Sequence, residues 1–319
     1  MPGEAVYPRW IRRIGAPLIA LVLTIAPSVS TVHAVEDARK VSVVSFGLFG
    51  DQGVFRSEAT GAARVVADRF GGAAINVQYN SKKSGGATIE GLAMSLQAAA
   101  NGMDANNDIL FLILTSHGSR AGLAVKAGRL TQMLTPSNLA YMLTRTGIRY
   151  KVVVISACYS GVFIPRLANP DTLVITAADA DHPSFGCRDK AKWTYFGNAF
   201  FNIALRQAKS LKDAFVVARS LVKKREVRER FEPSDPPNGR RRKRAAVADF
   251  ASLSDRSLSD ACGKAKQKAG EITPPHVSDY PMSQWPLWMS NFTRPSSRIF
   301  RSSDWQASSL GRLARRMSW

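Results

Sequence analysis

Two apolar runs in the chain each stop at a reactive side chain. In "ILFLILTSHGSRAGL" the run ends at His117, and in "KVVVISACYSGVFIP" it ends at Cys158. A thiolate attacks electrophiles, and an imidazole can take the thiol proton and later give a proton to a leaving amine. Gly118 follows the histidine without a side chain, so its backbone N–H can approach a developing oxyanion closely. Gly161 gives Cys158 a similarly permissive loop. Each residue alone also has an ordinary reading. A cysteine at a strand end is commonly a small buried hydrophobe, and a histidine beside glycine a capped loop residue. The chemistry is carried by the pair at matching strand ends, which suits nucleophilic attack on an acyl carbon.

Positioning such a pair takes strands that end side by side, and the pattern around them supplies these. "VSVVSF" from Val41 is β-branched and apolar and predicts a strand. Ser57 is expected to cap a helix in which Ala62, Val65, Val66 and Phe70 recur at helical spacing before Gly71. "AINVQY" reads as a strand, and "ATIEGLAMSLQAAANG" as a helix with Ile89, Leu92, Leu96 and Ala99 on one face. "DILFLILT", "KVVVISA" and "DTLVITAA" are near-continuous apolar runs, as expected of strands covered on both faces. Thr135 and Pro136 open a helix between the first two of these, and Gly147 closes it. "WTYFGNAFFNIALRQA" and "SLKDAFVVARSLVKKREVRER" predict two more helices. Alternation of this kind predicts an α/β domain with a mostly parallel sheet flanked by helices. Strands joined by one crossover helix are usually neighbours, so His117 and Cys158 are expected in one crevice at the carboxyl ends of the strands.

"LTSHGS" followed by "VVVISACYSG" resembles the legumain-type (asparaginyl endopeptidase) family of cysteine peptidases, in its bacterial branch, within the wider caspase-like group. The similarity runs from about Val41 to Pro236 and includes "GDQGVFRSEA", "ATIEGLAMSLQAAANGMD", "TLVITAADADHPSFGCRDKAKWTYFGNAFF" and "FEPSDP". The resemblance implies a caspase-like three-layer fold. It also implies His117 as general acid/base, Cys158 as nucleophile and the Gly118 amide at the oxyanion. The implied reaction is hydrolysis of peptide or protein substrates through a thioacyl-enzyme, without cofactor. In this group the histidine need not touch the cysteine in the free enzyme. Legumain carries a glutamate before its Ala-Cys pair and an aspartate after "TYLG"; here Ser156 and Asn198 stand there, while Ser184 matches a serine of that pocket. Cleavage after Asn or Asp is thus a family expectation that these residues weaken. Asp179 and Asp181 are further candidates for the pocket wall. Cys187 matches a family cysteine outside the dyad and reads as a packed thiol, with a disulfide to Cys262 left open. Two other activities share the sequence: transamidation or ligation by the same thioacyl chemistry, and a catalytically idle protein that binds an anionic partner.

The ends of the chain read differently from its middle. "RWIRR", the apolar run "IGAPLIALVLTIAP" and "VHA" form the pattern of a secretory signal peptide, residues 1–34, cut after Ala34. The export expectation is periplasmic or secreted; the alternative is an anchor at residues 14–27, which is short for a bilayer span of about 20 residues. Residues 35–236 are expected to form the peptidase domain and 237–319 a basic, disordered extension. The whole chain carries a formal charge of +20. From Asn238 on there are 15 Lys and Arg against 6 Asp and Glu, and four of the six tryptophans. "GRRRKR" could meet an anionic surface by counterion release, with lipid or cell-surface polymer favoured over nucleic acid by export. His33, His117, His182 and His276 are too scattered, and the cysteines lack the spacing, for a zinc site. A tail of Arg, Ser, Pro and Trp beginning abruptly after "EPSDP" is also what a reading-frame shift in a GC-rich gene produces. Sequencing the gene through that junction tests this: a second frame that continues the family pattern is the expected result, and its absence excludes the idea.

Overall fold

The computed structural model describes residues 39–71 and 74–237, together with Gly3. Gly3 apart, these lie in one unit, Ala38–Trp319. The leader 1–34, the alternative anchor 14–27 and the tail from residue 238 on fall outside the described residues. In the described part, strands β1 (Val41–Gly47), β2 (Ile75–Tyr79), β3 (Ile109–Thr115), β7 (Tyr150–Ser156) and β8 (Thr172–Thr176) form one parallel sheet in the order β2-β1-β3-β7-β8. After β2 the chain returns across β1 to lay down β3, so the strand order reverses between β1 and β3. Ligands of open α/β sheets bind outside the carboxyl ends of the strands at such a reversal.

Helices cover both faces. Helices α2 (Ile89–Asn101) and α3 (Pro136–Arg145) pack on one face, with Leu92, Leu96, Leu139 and Met142 against Leu110, Leu112 and Val153. Helix α1 (Gly53–Phe70) and α7 (Leu211–Glu229) cover the other, with Ala62, Val66, Ala214 and Ala218 against Val43, Phe111 and Val154. Every residue of β1 and β3 is buried, which explains their unbroken apolar sequence. The result is the three-layer α/β arrangement with a mostly parallel sheet.

Three local features differ from the sequence expectation. Helix α1 begins at Gly53, so Ser57 lies inside it and caps nothing. Its first N–H is taken by Asp189 Oδ1 at 2.8 Å, a cap from 136 residues away that no local pattern can show. The segment after Thr194 is not one α-helix. It is a turn α5 (Tyr195–Gly197), a π-helical stretch Asn198–Ala204 and a turn α6 (Leu205–Gln207). Between His117 and α3 stands a small antiparallel sheet, β4 (Gly118–Ser119), β5 (Gly122–Ala127) and β6 (Leu130–Leu134). Its β5–β6 hairpin turns on Gly128-Arg129, with Gly128 at φ +59°, the Gly-X pair that a two-residue hairpin requires. A short helix α4 (Ile164–Leu167) follows β7.

The hairpin is tied to the loop after β1. Lys126 N–H donates to Leu48 O (2.8 Å), Gly50 N–H donates to Lys126 O (2.9 Å), and the Lys126 ammonium meets Asp51 at 3.1 Å. Buried Asn80 holds the same loop from behind: its Nδ2 donates to Leu48 O (2.8 Å) and Ala87 O (2.9 Å), and its Oδ1 accepts from Ala87 N–H (3.0 Å). Asn80→Ala leaves the Ala87 carbonyl and N–H without these partners and takes one of two donors from Leu48 O, so a loss of about 2–3 kcal/mol is expected in urea denaturation. A loss within 0.5 kcal/mol, the range of an ordinary surface change, contradicts that role.

Candidate active site

Strands β3 and β7 pair in parallel register from Ile109↔Tyr150 to Thr115↔Ser156. Ser116 N–H donates to Ser156 O (3.2 Å), which carries the ladder one step past the strands. His117 and Cys158 each stand two residues beyond the last register pair. The structure therefore brings the two sequence candidates to adjacent strand ends.

His117 lies in an aromatic slot. Phe49, from the loop after β1, meets its ring edge-on at 4.7 Å between centroids, and Phe55 of α1 does so at 5.0 Å. Burial pushes its pKa down to about 4, against an opposing effect of the Asp51 carboxylate. The imidazole is thus neutral at neutral pH, the form in which a base takes up a proton. Its backbone oxygen accepts from Ala124 N–H at 3.0 Å, which fixes the loop to β5.

Cys158 is half-buried, and donors converge on its sulfur. Ser184 N–H reaches Sγ at 3.2 Å and Ser184 Oγ at 3.9 Å, while the thiol donates to Ser184 O at 3.2 Å. The N–H groups of Cys158 and Gly118 also hydrogen-bond to it. Burial pushes the thiol up and these donors oppose it, burial being the stronger. Gly118 is pressed against the backbone of Cys158, where a Cβ would fall 2.0 Å from Cys158 O. Tyr159, directly after Cys158, takes the left-handed conformation (φ 54°), and its N–H donates to His182 O (3.0 Å). Gly161 has a physical reason other than the loop freedom expected of it. A Cβ there would fall 2.5 Å from Asp179 C, so the residue permits a close approach to the loop after β8.

The other sequence candidates separate. Ser184 sits at the sulfur. Ser156 is buried beneath the site, with Oγ 3.1 Å from Thr194 Oγ1. Asp179 spends its carboxylate on its own loop, accepting from Asp181 N–H, His182 N–H and the His182 ring, each at 2.8 Å. Asp181 is exposed and pairs with Arg120 at 3.1 Å. Asn198 lines a cavity of about 290 Å³ with Tyr195, Ile203, Leu221 and Lys224, which neither His117, Cys158 nor Ser184 borders. Cys187 is a free, half-buried thiol, pushed well up by burial and by the nearby Cys158 and Glu58; Cys262 lies outside the described residues. Among the described residues no group of three or more His, Cys, Asp and Glu could hold a metal ion.

Sequence reasoning missed Glu58. It is wholly buried on α1, and its Oε1 accepts from Thr115 Oγ1 (2.9 Å) and its Oε2 from Thr194 N–H (2.7 Å). The Ser156 and Thr194 hydroxyls, which share a hydrogen bond with each other, also face it and favour its charged form. Burial pushes its carboxyl up against these donors. The signal was present: Glu58 interrupts the apolar stripe of Val54, Phe55, Ala59, Ala62 and Val65.

A His and a Cys at neighbouring ends of a parallel sheet, with amide donors at the sulfur, define the class as a cysteine-peptidase type of α/β protein. The sequence model of the peptidase C13 family, the legumain family, matches residues 73–238. The chain belongs to this family, which implies a peptide or protein substrate, and its fold is an α/β arrangement with a parallel five-stranded sheet flanked by helices. The match begins after α1, so Glu58 precedes it. Two solved structures overlap in part. Caspase-1 from Spodoptera frugiperda aligns at a TM-score of 0.41 and 19% identity, over 58% of this chain and 75% of the caspase. Pro-sf-caspase-1 aligns at 0.44 and 16%, over 66% and 89%. No curated protein matches the chain.

A neutral thiol beside a neutral imidazole has a measurable consequence. Carbamidomethylation of Cys158, followed on its own peptide by mass, is expected to keep rising above the ordinary thiol midpoint of about pH 8.5. A plateau between pH 5 and 7 would instead mean a resting thiolate–imidazolium pair.

Proposed function

We propose that the protein is an exported cysteine endopeptidase in which Cys158 is the nucleophile and His117 the general acid/base. The observation that carries this reading is the convergence of Gly118 N–H and Ser184 N–H on Cys158 Sγ, beside a neutral His117 at the next strand end. His117 accepts the thiol proton as sulfur attacks the substrate carbonyl carbon. The resulting oxyanion takes hydrogen bonds from the Gly118 and Cys158 amides, which already face the sulfur. Collapse breaks the C–N bond, and the imidazolium gives its proton to the departing amine. Water, deprotonated by His117, then attacks the thioester, and the thiol is released with the carboxylic acid.

Preference for Asn or Asp before the cleaved bond is the part of this reading with least support from these residues. Ser156 is closed off beneath Cys158, and Asn198 faces the other cavity. Ser184 is the family pocket residue that stands at the sulfur. Export is supported by the leader pattern of residues 1–34. Among the described residues no helix is long and apolar enough to cross a membrane.

The test is a positional library of fluorogenic peptides turned over by the full chain and by Cys158→Ala. Turnover that falls by at least about 10³-fold in the variant is expected, with the library giving the preferred residue. Equal turnover in both proteins, or none in either, excludes the reading. Product masses in the presence of an added amine separate hydrolysis from transfer.

A further inference from the structure

The carboxyl of Glu58 takes no part in the proposed chemistry, yet it touches the elements that carry it. Thr115 and Ser156 are register partners, two residues before His117 and Cys158 respectively. Both hydroxyls hydrogen-bond to Glu58. Its third contact, Thr194, caps α5 by accepting from Gly197 N–H (2.9 Å). In that turn Tyr195 N–H donates to Phe185 O (3.0 Å), the residue after Ser184. One side chain therefore links the end of β3, the end of β7 and the segment that sets Ser184 against the sulfur. It has no room to shift, since a Cβ at Gly197 would fall 1.9 Å from its Oε2.

A carboxyl is not what the volume alone would select. Glu58 lies on the buried stripe of α1, and no cation contributes to its electrostatics. Leucine or methionine would fill the space but would strip Thr194 N–H and two of the three nearby hydroxyls of their acceptor, each at a desolvation penalty. The side chain is thus chosen for what it gathers. Both catalytic candidates lie two residues beyond the residues it holds.

We propose that Glu58 is a positioning residue of the site, setting the relative placement of His117, Cys158 and Ser184 through Thr115, Ser156 and Thr194 without touching substrate. For its effect on turnover the inference rests on the peptidase reading; for its effect on Cys158 it does not. The reporter is the Gly118 N–H bond to Sγ, because a displaced β3 end draws that donor from the sulfur and moves the thiol's titration to higher pH.

The experiment compares Thr115→Val, Glu58→Ala and Glu58→Gln in the full chain by kcat and KM, by the pH profile of Cys158 carbamidomethylation, and by Tm. Thr115→Val keeps the shape and removes only the β3 link, so it decides the matter if Glu58→Ala fails to fold. It is expected to lower kcat about tenfold with KM within about twofold, and to shift the alkylation profile upward in pH. Glu58→Gln still accepts from Thr194 N–H and donates to a hydroxyl, so it recovers most of what Glu58→Ala loses. If the wild type shows no turnover but Thr115→Val still shifts the profile, the positioning role stands and the peptidase reading alone falls. Unchanged kcat and an unshifted profile in Thr115→Val, with only Tm lowered, mark Glu58 as purely structural and overturn the proposal.

Discussion

The parallel pairing of β3 with β7, ending at Thr115 opposite Ser156, is the constraint on which the site depends. Parallel strands in register leave their sheet side by side, so whatever follows each must share the same space. Here the sharing is tight. Ser116 extends the ladder to Ser156 O, and Gly118 comes so near the Cys158 carbonyl that no side chain fits between them. The nearness of histidine loop and cysteine loop therefore follows from backbone hydrogen bonds that the apolar strands form anyway. The hairpin β5–β6 and the loop after β1 then close around His117, joined to each other by Lys126 and Leu48. Precision comes from the sheet, and the loops add enclosure.

Enclosure also decides the charge state. Desolvation disfavours the charged form of each group, lowering His117 and raising Cys158. The amides of Gly118 and Ser184 nonetheless face the sulfur, where they stabilise negative charge. Burial keeps the resting pair neutral, while the preoriented donors favour the charge that appears when the thiol gives up its proton. Such donors need no reorganisation at that moment, which is the source of their catalytic effect. A fully solvated pair would ionise more readily but would lose that advantage to water.

The sheet was legible in the sequence because its signal is local: runs such as "DILFLILT" can be buried on both faces only in a covered strand. Helix α3 was equally plain, with Thr135 accepting from Asn138 N–H at 3.2 Å and Pro136 at its first position. Interactions across long stretches of chain were not legible. The start of α1 is fixed by Asp189, and the π-helical stretch Asn198–Ala204 keeps the apolar content of the expected helix while changing its hydrogen bonding. The hairpin at Gly128 did have a local signal, an alternating run interrupted by Gly-Arg, but its strands are short and easily read as loop. For the site, the candidate nucleophile and base stood out as residue types at strand ends. Phe49 and Phe55 did not, since what matters is which element they face, and Glu58 showed only as an acid on the apolar stripe of α1.

Glu58 also gives a physical reason for the serine at position 156. The legumain resemblance leads one to expect glutamate there, before the Ala-Cys pair. Ser156 Oγ, however, hydrogen-bonds to the Glu58 carboxyl inside a fully buried cluster. A glutamate at 156 would bring a second carboxyl against the first with no cation to offset it. Two carboxyls at such a distance cannot both ionise; one must hold a proton, and the desolvation penalty of the other remains. A hydroxyl avoids this conflict and supplies a donor. The carboxyl on α1 and the neutral residue on β7 are therefore one arrangement, with the acid on the helix behind the strand. From there it can hold the strand ends, but it is sealed by Gly197 and Thr194 from anything that enters the crevice. Ser156 is thus closed off beneath the site, while Ser184, the residue the legumain resemblance places in the pocket, stands against the sulfur.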